Sequence, residues 1–454
     1  MTTQLREALT AAGAAALIQK FIDPLLLEYT RRYSPVLRSL PTHKMTSTVY
    51  NFNARTQYAA GGFVTDGGAR PVTNSTYVQS DFKVRLLQTV GAITGFAEEV
   101  TSDLVGSLLR REIEGSVQGQ LWDTETGILW GNEGCSQNGP YPQFSGLDSQ
   151  VATFSGSTQN AIDGAGAALS LSLLDQTIDM VETNAAMAVS SSDWMFVASP
   201  TAISKLAQLF TNQQRFLDKV EVATGLNVPS YRDIPLVKSS FLGTRGAKMG
   251  TVTTATATTG GTLAAATYYY RVAAVMARAG ETEACTEVSQ ATTGSTSTVT
   301  LSFSTPTGYE GATPILYKVY RSTATTTETL LGYVDATVVL QADGVTPVAT
   351  TSIVDTGTAL VPMNSSTAPT TLPTAYYGTN IGAKPRGAGA ETIYLMSRNR
   401  DFVVRPVIRD LKPIQVYPTT SSPDSLPYAI VSDTCLAVRA PRYLGRLDRV
   451  VASL

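Results

Sequence analysis

Charge is what this 454-residue sequence has least of. Asp, Glu, Lys and Arg make up only 15 % of it, against roughly 25 % in an ordinary soluble domain. A folded chain with so little charge offers little solvated surface, and the cores of protein interfaces are depleted of charge. The shortage points to extensive contact with other chains. Histidine is scarcer still, with His43 alone in the chain. Histidine-based acid–base or metal chemistry would gather several such side chains, so a structural role is expected for it. The three cysteines, Cys135, Cys285 and Cys435, are odd in number and far apart. That excludes a disulfide framework and zinc spacing, and it fits a reducing compartment. No run reaches the roughly 18 apolar residues that a membrane span requires. Leu5 to Ile18 is broken by Arg6, Glu7 and Thr10, which is not the pattern of a secretion signal. No P-loop, GxSxG or HExxH is present. No catalytic, cofactor-binding or metal-binding residue is therefore expected, and no enzyme.

What is present is apolar and small. Hydrophobic residues make up 43 %, enough for real cores, and the length suggests about three domains. The net charge of −2 gives no global basic excess toward nucleic acid. Residues 384–449 carry eleven Lys and Arg against six Asp and Glu, and residues 249–365 carry four against eight. A mildly acidic middle thus precedes a mildly basic end.

Residues 1–30 read as an Ala-rich helix. Pro24, Pro35 and Pro41 then punctuate the chain, and 31–47 reads as an extended arm. "TVYNFNAR" and "DFKVRLLQTV" alternate, with Tyr50, Phe52 and Ala54 on one side and Phe82, Val84 and Leu86 on the other run. Between them lies "YAAGGFVTDGGARPVTNS", rich in turn formers. Two strands with a polar tip make a protruding hairpin over 48–94. An isolated hairpin is marginal in water, so it must lie on its own domain or on a neighbouring chain. Val100, Leu104, Leu108, Ile113, Val117 and Leu121 then keep helical spacing, with Thr101 or Ser102 placed to cap. At 1.5 Å per residue this predicts a spine helix of about 40 Å. Residues 131–165 read as a Gly/Ser/Asn-rich loop.

From 170 the texture is α/β. "LSLLDQTIDMVE" is helical, "WMFVAS" is a buried strand, and Ser199-Pro200 opens the helix "SPTAISKLAQLF" as cap and first residue. "IPLVKSS" is another strand. Near 248 the composition shifts, with fifteen threonines in 251–300. Short strands follow at intervals that mean a β-sandwich. In "ATYYYRVAAVM", Tyr268, Tyr270, Val272 and Ala274 share one face. In "ILYKVYRS", Tyr317 and Val319 point inward, with Lys318 and Arg321 outward. After a linker, "TIYLMSRNRDFVVRPV" and "PYAIVSDTCLAVRAPRYLGRLDRVV" close the chain in strands. The organisation is one α/β domain interrupted by a sandwich, which is tolerated where the module's ends lie close together at a surface loop.

The remaining motifs have bland readings. Asp355-Thr356-Gly357 matches the aspartic-protease tripeptide, but Asp followed by Gly after a Thr-rich strand is ordinary turn chemistry. "GGFVTDGG" sits between β-type runs with no helix N-terminus to cradle phosphate. Asn74 and Asn364 match glycosylation acceptors without a secretion signal. Arg398, Arg400, Arg405 and Arg409 are interleaved with acids, which favours salt bridges over a nucleic-acid stripe.

The order of parts resembles the major capsid protein of tailed bacteriophages, the Hong Kong-97-type fold, over about 1–248 and 366–454. "FAEEVTSDL" (96–104) resembles the junction from extended loop to spine helix, and "WMFVASPTAISKLAQL" (194–209) the strand–helix unit of the axial domain. "DIPLVKSSFL" (233–242) resembles its next strand, with Asp233 where the family often has Gly. "ETIYLMSRN" and "VSDTCLAVRAP" resemble the closing strands, and 249–365 the immunoglobulin- or fibronectin-like inserts of some of these proteins. The resemblance implies an α+β fold with six parts: N-terminal helix and arm 1–47; extended hairpin loop 48–96; spine helix and peripheral-domain loop 97–165; first part of the axial domain 166–248; inserted all-β sandwich 249–365; and closing axial and peripheral strands 366–454. It implies self-assembly as hexamers and pentamers into an icosahedral shell around double-stranded DNA. The DNA would be held without sequence-specific contacts, and the sandwich would stand outside. The partners implied are further copies of the chain, a scaffold, a portal and decoration proteins, with no membrane and no cofactor. The place implied is the virion, after assembly in the host cytoplasm. An encapsulin-like compartment shares the fold. A surface adhesin with one sandwich module and an enzyme are the other readings, and the missing secretion signal and missing motifs speak against them.

Overall fold

The computed structural model describes residues 35–452, except 70–72, 106, 134–142, 154–159, 190–192, 213–218, 224–225, 244–247, 307–312, 340–346, 358–359, 364–383 and 417–423. The helix expected over 1–30 and most of the linker after the sandwich lie outside the described residues. The chain divides into two compact units.

The described parts of the smaller unit come from 89–117 and 413–430. Strand Arg85–Thr94 runs straight into helix Gly95–Val105. Three N–H groups of its first turn find acceptors, which an α-helix start requires. Thr94 Oγ1 takes that of Ala97 at 3.3 Å, the carbonyl of Asp424 that of Gly95 at 2.7 Å, and the Asp424 carboxylate that of Phe96 at 3.2 Å. Tyr428 lies across Gly91, where a Cβ would sit 2.4 Å from its ring, and its hydroxyl meets Ser116 Oγ at 3.1 Å. The single spine expected from the spacing is instead two helices, Gly95–Val105 and Leu108–Trp130. Ser107 lies outside both helices, and its Oγ accepts from Arg110 N–H at 3.3 Å, capping the second helix. Thr101 does not cap; its hydroxyl donates back to Ala97 O within the first helix.

The larger unit is built on a seven-stranded sheet. Its order is Ala161–Asp163, Leu444–Val451, Ala390–Ser397, Trp194–Ala198, Ile234–Lys238, Leu226–Tyr231, Lys219–Ala223. Every residue of Trp194–Ala198 is buried, as a central strand covered on both faces must be. Helix Leu171–Ala185 starts at Ser170, whose hydroxyl accepts from Leu173 N–H, and lays Leu174, Ile178 and Val181 on the sheet. Helix Pro200–Asn212 is capped by Ser199 Oγ on Ala202 N–H at 3.2 Å and buries Ala202, Ile203 and Leu206 beside them. Burying each large apolar side chain contributes about 1.5–3 kcal/mol. The hairpin Lys219–Tyr231 has no counterpart in the sequence reading.

Between Val252 and Met363 the described strands form two larger sheets and a small pair, Thr337–Val339 with Pro347–Ala349. One orders Val252–Ala257, Thr298–Phe303, Ser352–Asp355 and Leu360–Met363; the other orders Gly280–Glu281, Thr267–Met276, Pro314–Ser322 and Thr329–Asp335. Tyr270, Val272, Ala274, Leu301, Tyr317 and Val319 meet in the core between them. The opposite face of the second sheet is also buried. Ala273, Val275, Leu316, Tyr320 and Tyr333 pack with Trp130, Phe241, Tyr394 and Leu444 in one cluster. The sandwich strands therefore share a second core with the α/β sheet.

Three other expectations change. Residues 31–47 are not simply extended: Pro35–Ser39 is a short helix with Val36 and Leu37 buried, and Thr42–Lys44 pairs in parallel with Arg405, Pro406 and Val407. The loop read over 131–165 contains helix Leu147–Thr153 and strand Ala161–Asp163. Lys318 does point out of the sandwich core but is buried, and Arg321 reaches Asp355 instead of solvent.

Candidate assembly site and buried charge cluster

Strand Val49–Gln57 pairs antiparallel with Thr76–Lys83, from Val49 opposite Lys83 to Gln57 opposite Thr76. Near the base the alternation buries aromatic rings. Phe52 stacks on Phe82 at 5.9 Å, and Tyr50 packs with Val404 and Ala437. Toward the tip that core gives out. Phe63 is wholly exposed at 111 % and Tyr58 at 76 %, with Tyr77 and Val78 also exposed. Arg55 lies 5.1 and 5.3 Å from the ring centroids of Tyr58 and Tyr77, which orders the edge of the hairpin without covering it. Exposed apolar groups clustered on one element mark an interaction site.

The second notable arrangement is buried. Lys318 Nζ lies 2.8 Å from Asp148 Oδ2 and 3.0 Å from Glu281 Oε2. It also stands 4.8 Å above the ring of Trp130, where the negative face of the indole attracts a cation. Asp148 accepts further bonds from the hydroxyls of Tyr394 at 2.9 Å and Tyr333 at 3.1 Å. Tyr320 O–H donates to Glu281 at 2.9 Å. Arg446 is 3.7 Å from Asp148 and 2.8 Å from Asp448. Burial alone would push the Asp148 carboxyl up, but Lys318 and Arg446 hold it below the usual carboxylate range. Burial opposes the charge on Lys318, and Asp148 with Glu281 keeps its ammonium above the usual range. Burial raises Asp448 in spite of Arg446. A buried ion pair of this sort is weak as net stabilisation but costly to break from one side. Its members come from a sandwich strand, from helix Leu147–Thr153 and from the α/β sheet, so it fixes their mutual register.

Asp148 is held by close glycine contacts. Gly146 N–H donates to Gly131 O at 2.8 Å, and a Cβ at Gly131 would stand 2.2 Å from Phe144 O. None of this was visible in the sequence, where Asp148 sits in a stretch that reads as loop. One signal was there: after Val272, "AAVM" is apolar on both parities, the mark of a strand buried on both faces.

The sequence motifs resolve into structure. Asp355 accepts from Tyr270 O–H and Arg321, both at 2.8 Å, and from Gly357 N–H at 2.8 Å. It is a buried ion pair at a turn, with Gly357 at φ +87°. His43 Nδ1 meets Arg400 at 2.6 Å and its ring packs edge-on to Tyr50. Arg405 pairs with Asp410 and Arg409 with Asp433 within the chain. Among the described residues, no group of three His, Cys, Asp or Glu side chains could hold a metal ion, and no helix is long and apolar enough to cross a membrane.

Residues 14–234 match the family model of the SU10 major capsid protein. No curated protein matches the chain. Among solved structures, the chain is similar to the capsid of a native GTA particle at 7 % identity, covering 98 % of this chain and 100 % of that one, with a TM-score of 0.49. It is similar to a chain of Mycobacterium phage Bobi at 12 % identity, covering 97 % of this chain and 98 % of that one, with a TM-score of 0.47. The SrpI encapsulin of Synechococcus elongatus PCC 7942 stands at 12 % identity, 98 % of each chain and a TM-score of 0.47. At these scores the structural likenesses carry no argument of their own, and the family match over 14–234 does.

Proposed function

We infer that this chain, a tailed-phage major capsid protein and so a self-assembling structural component of the virion, builds its shell from hexamers and pentamers. In that reading the hairpin clasps a neighbouring subunit, and residues 249–365 are an inserted immunoglobulin-like sandwich carried on the outside. Double-stranded DNA fills the shell without sequence-specific contacts, with a scaffold, a portal and decoration proteins as partners.

The observation that carries the clasp is the hairpin tip, where Phe63, Tyr58 and Tyr77 stand in water with no core of their own. Ordering such a tip costs roughly 1–2 kcal/mol per fixed residue, and two buried apolar side chains return about 1.5–3 kcal/mol each. Backbone pairing with a neighbour must supply the rest, so the tip orders on assembly. Low overall charge supports the same reading, because many contacts repeated by symmetry close a container. A compartment of the encapsulin kind would use the same clasp; the family match favours the phage. Sedimentation of the purified protein, alone and with its scaffold, tests the reading. Capsomers, tubes or shells are expected, and a monomer under every condition would end it.

A further inference from the structure

Phe63 at the hairpin tip and an apolar cavity at the hairpin's base form a knob and a hole that one chain cannot join. We propose that Phe63 of one copy enters this cavity of a second copy. The inference rests on the assembly reading above and names the surface on which the clasp closes.

The cavity measures about 290 Å³ and is walled chiefly by Leu86, Leu87, Phe144, Ala277 and Ile315. A dry apolar cavity of about 150 Å³ already accepts benzene, so there is room for the Phe63 ring and part of Val64. Leu86 is 56 % exposed, so the wall opens to the surface. Arg85 and Asp123 supply the charged part of the lining. Asp123 is paired with Arg278 at 2.6 Å, while Arg85 Nη2 and the nearby Lys83 Nζ both lie 3.3 Å from a single oxygen, Glu133 Oε1, which leaves cations in excess by one. The tip brings the opposite sign in Asp66, exposed two residues past Val64. A fully exposed phenylalanine thus meets an apolar hole, and an exposed carboxylate meets a rim where two cations share one acid.

Reach decides between the same chain and another. Strand Thr76–Lys83 ends two residues before Arg85, which lines the cavity, and at about 3.3 Å per residue its length carries the tip about 25 Å away. A knob and a hole at opposite ends of one element give a head-to-tail contact, which repeats around a ring or across a lattice.

The test is a disulfide between copies. The Phe63→Cys/Leu86→Cys double variant, assembled and mildly oxidised with copper phenanthroline, is expected to give dimers and longer ladders on non-reducing gels, with the 63–86 linkage found by peptide mass spectrometry. Each single variant, and Phe63→Cys paired with Met187→Cys, is expected to give no ladder. Phe63→Asp lies on a fully exposed side chain and leaves the subunit folded. It is expected to lower the yield of closed shells at least about tenfold, the loss set by one unburied aromatic side chain, whereas Phe63→Leu keeps them. Shells that form without the 63–86 linkage, or a ladder equally strong with Met187→Cys, overturn this contact and leave the capsid reading intact. No association of copies by the unaltered protein overturns both.

Discussion

Lys318 Nζ lies 2.8 Å from Asp148 Oδ2, tying a strand of the sandwich to a short helix of the α/β body. Both groups are almost wholly buried, so neither can turn to water if the other is removed. Lys318→Met should cost about 3–5 kcal/mol in denaturant unfolding, the cost of stranding buried carboxylates. Lys318→Met/Asp148→Asn should cost less than the two single losses added together. Additive losses would show that the pair is not coupled.

The same pair makes the segment 249–365 a test of how independent the sandwich is. It has its own core, so the excised segment should unfold cooperatively. Excision also uncovers Val275, Leu316, Tyr320 and Tyr333 and puts Lys318 in water. Lys318→Met should therefore change the midpoint of the excised segment little while destabilising the full chain. A segment unfolded by circular dichroism would refute the domain boundaries.

Asp335 supplies a dependence on pH. Burial pushes its carboxyl up to about 8. The folded chain then keeps a proton that the unfolded chain releases near pH 4, so this group's contribution is present at low pH and lost as pH rises toward 8. Asp335→Asn should raise the unfolding midpoint at pH 8 and leave it nearly unchanged at pH 4. Asp148 works in the opposite sense. Its lowered carboxyl stabilises the fold above about pH 4 and loses that effect as the solution is acidified. Equal responses of Asp335→Asn at both pH values would contradict the assignment.

Gly131 is the position at which a single methyl should be felt most. Its Cβ would meet the carbonyl of Phe144 at 2.2 Å and that of Gly127 at 2.6 Å, backbone atoms that cannot swing aside. Gly131→Ala should cost at least the usual 1–3 kcal/mol, roughly, of overpacking. It should also raise hydrogen exchange in helix Leu147–Thr153, which carries Asp148. Unchanged exchange there would mean that the glycine does not position the helix.

Much of this fold could be read from residue patterns. Period-two runs placed the first hairpin strand and the faces of Tyr270 and Tyr317, but the run read as the second, 81–90, straddles two strands, Thr76–Lys83 and Arg85–Thr94, and only the former pairs in the hairpin. Ser199 preceded the helix that it caps, and the apolar run at Trp194 marked a central strand. What escaped had weak local signals. The break at Ser107 was hidden by apolar spacing that continued across it. Helix Leu147–Thr153 lay in polar, glycine-rich sequence. Lys318 looked solvated because an outward lysine usually is, and only tertiary packing gave it Asp148, Glu281 and Trp130 as neighbours. The exposed tip was legible because its glycines and turn formers could not build a core.

Electron micrographs of a variant lacking residues 60–68, beside the unaltered protein, test the central claim most directly. The deletion removes Phe63 and Val64 and touches no buried residue, so the subunit should stay folded. The account predicts closed shells from the full chain and unassembled subunits or capsomers from the deletion. Shells of normal number and shape from the deletion, or monomers alone from the full chain, would contradict it.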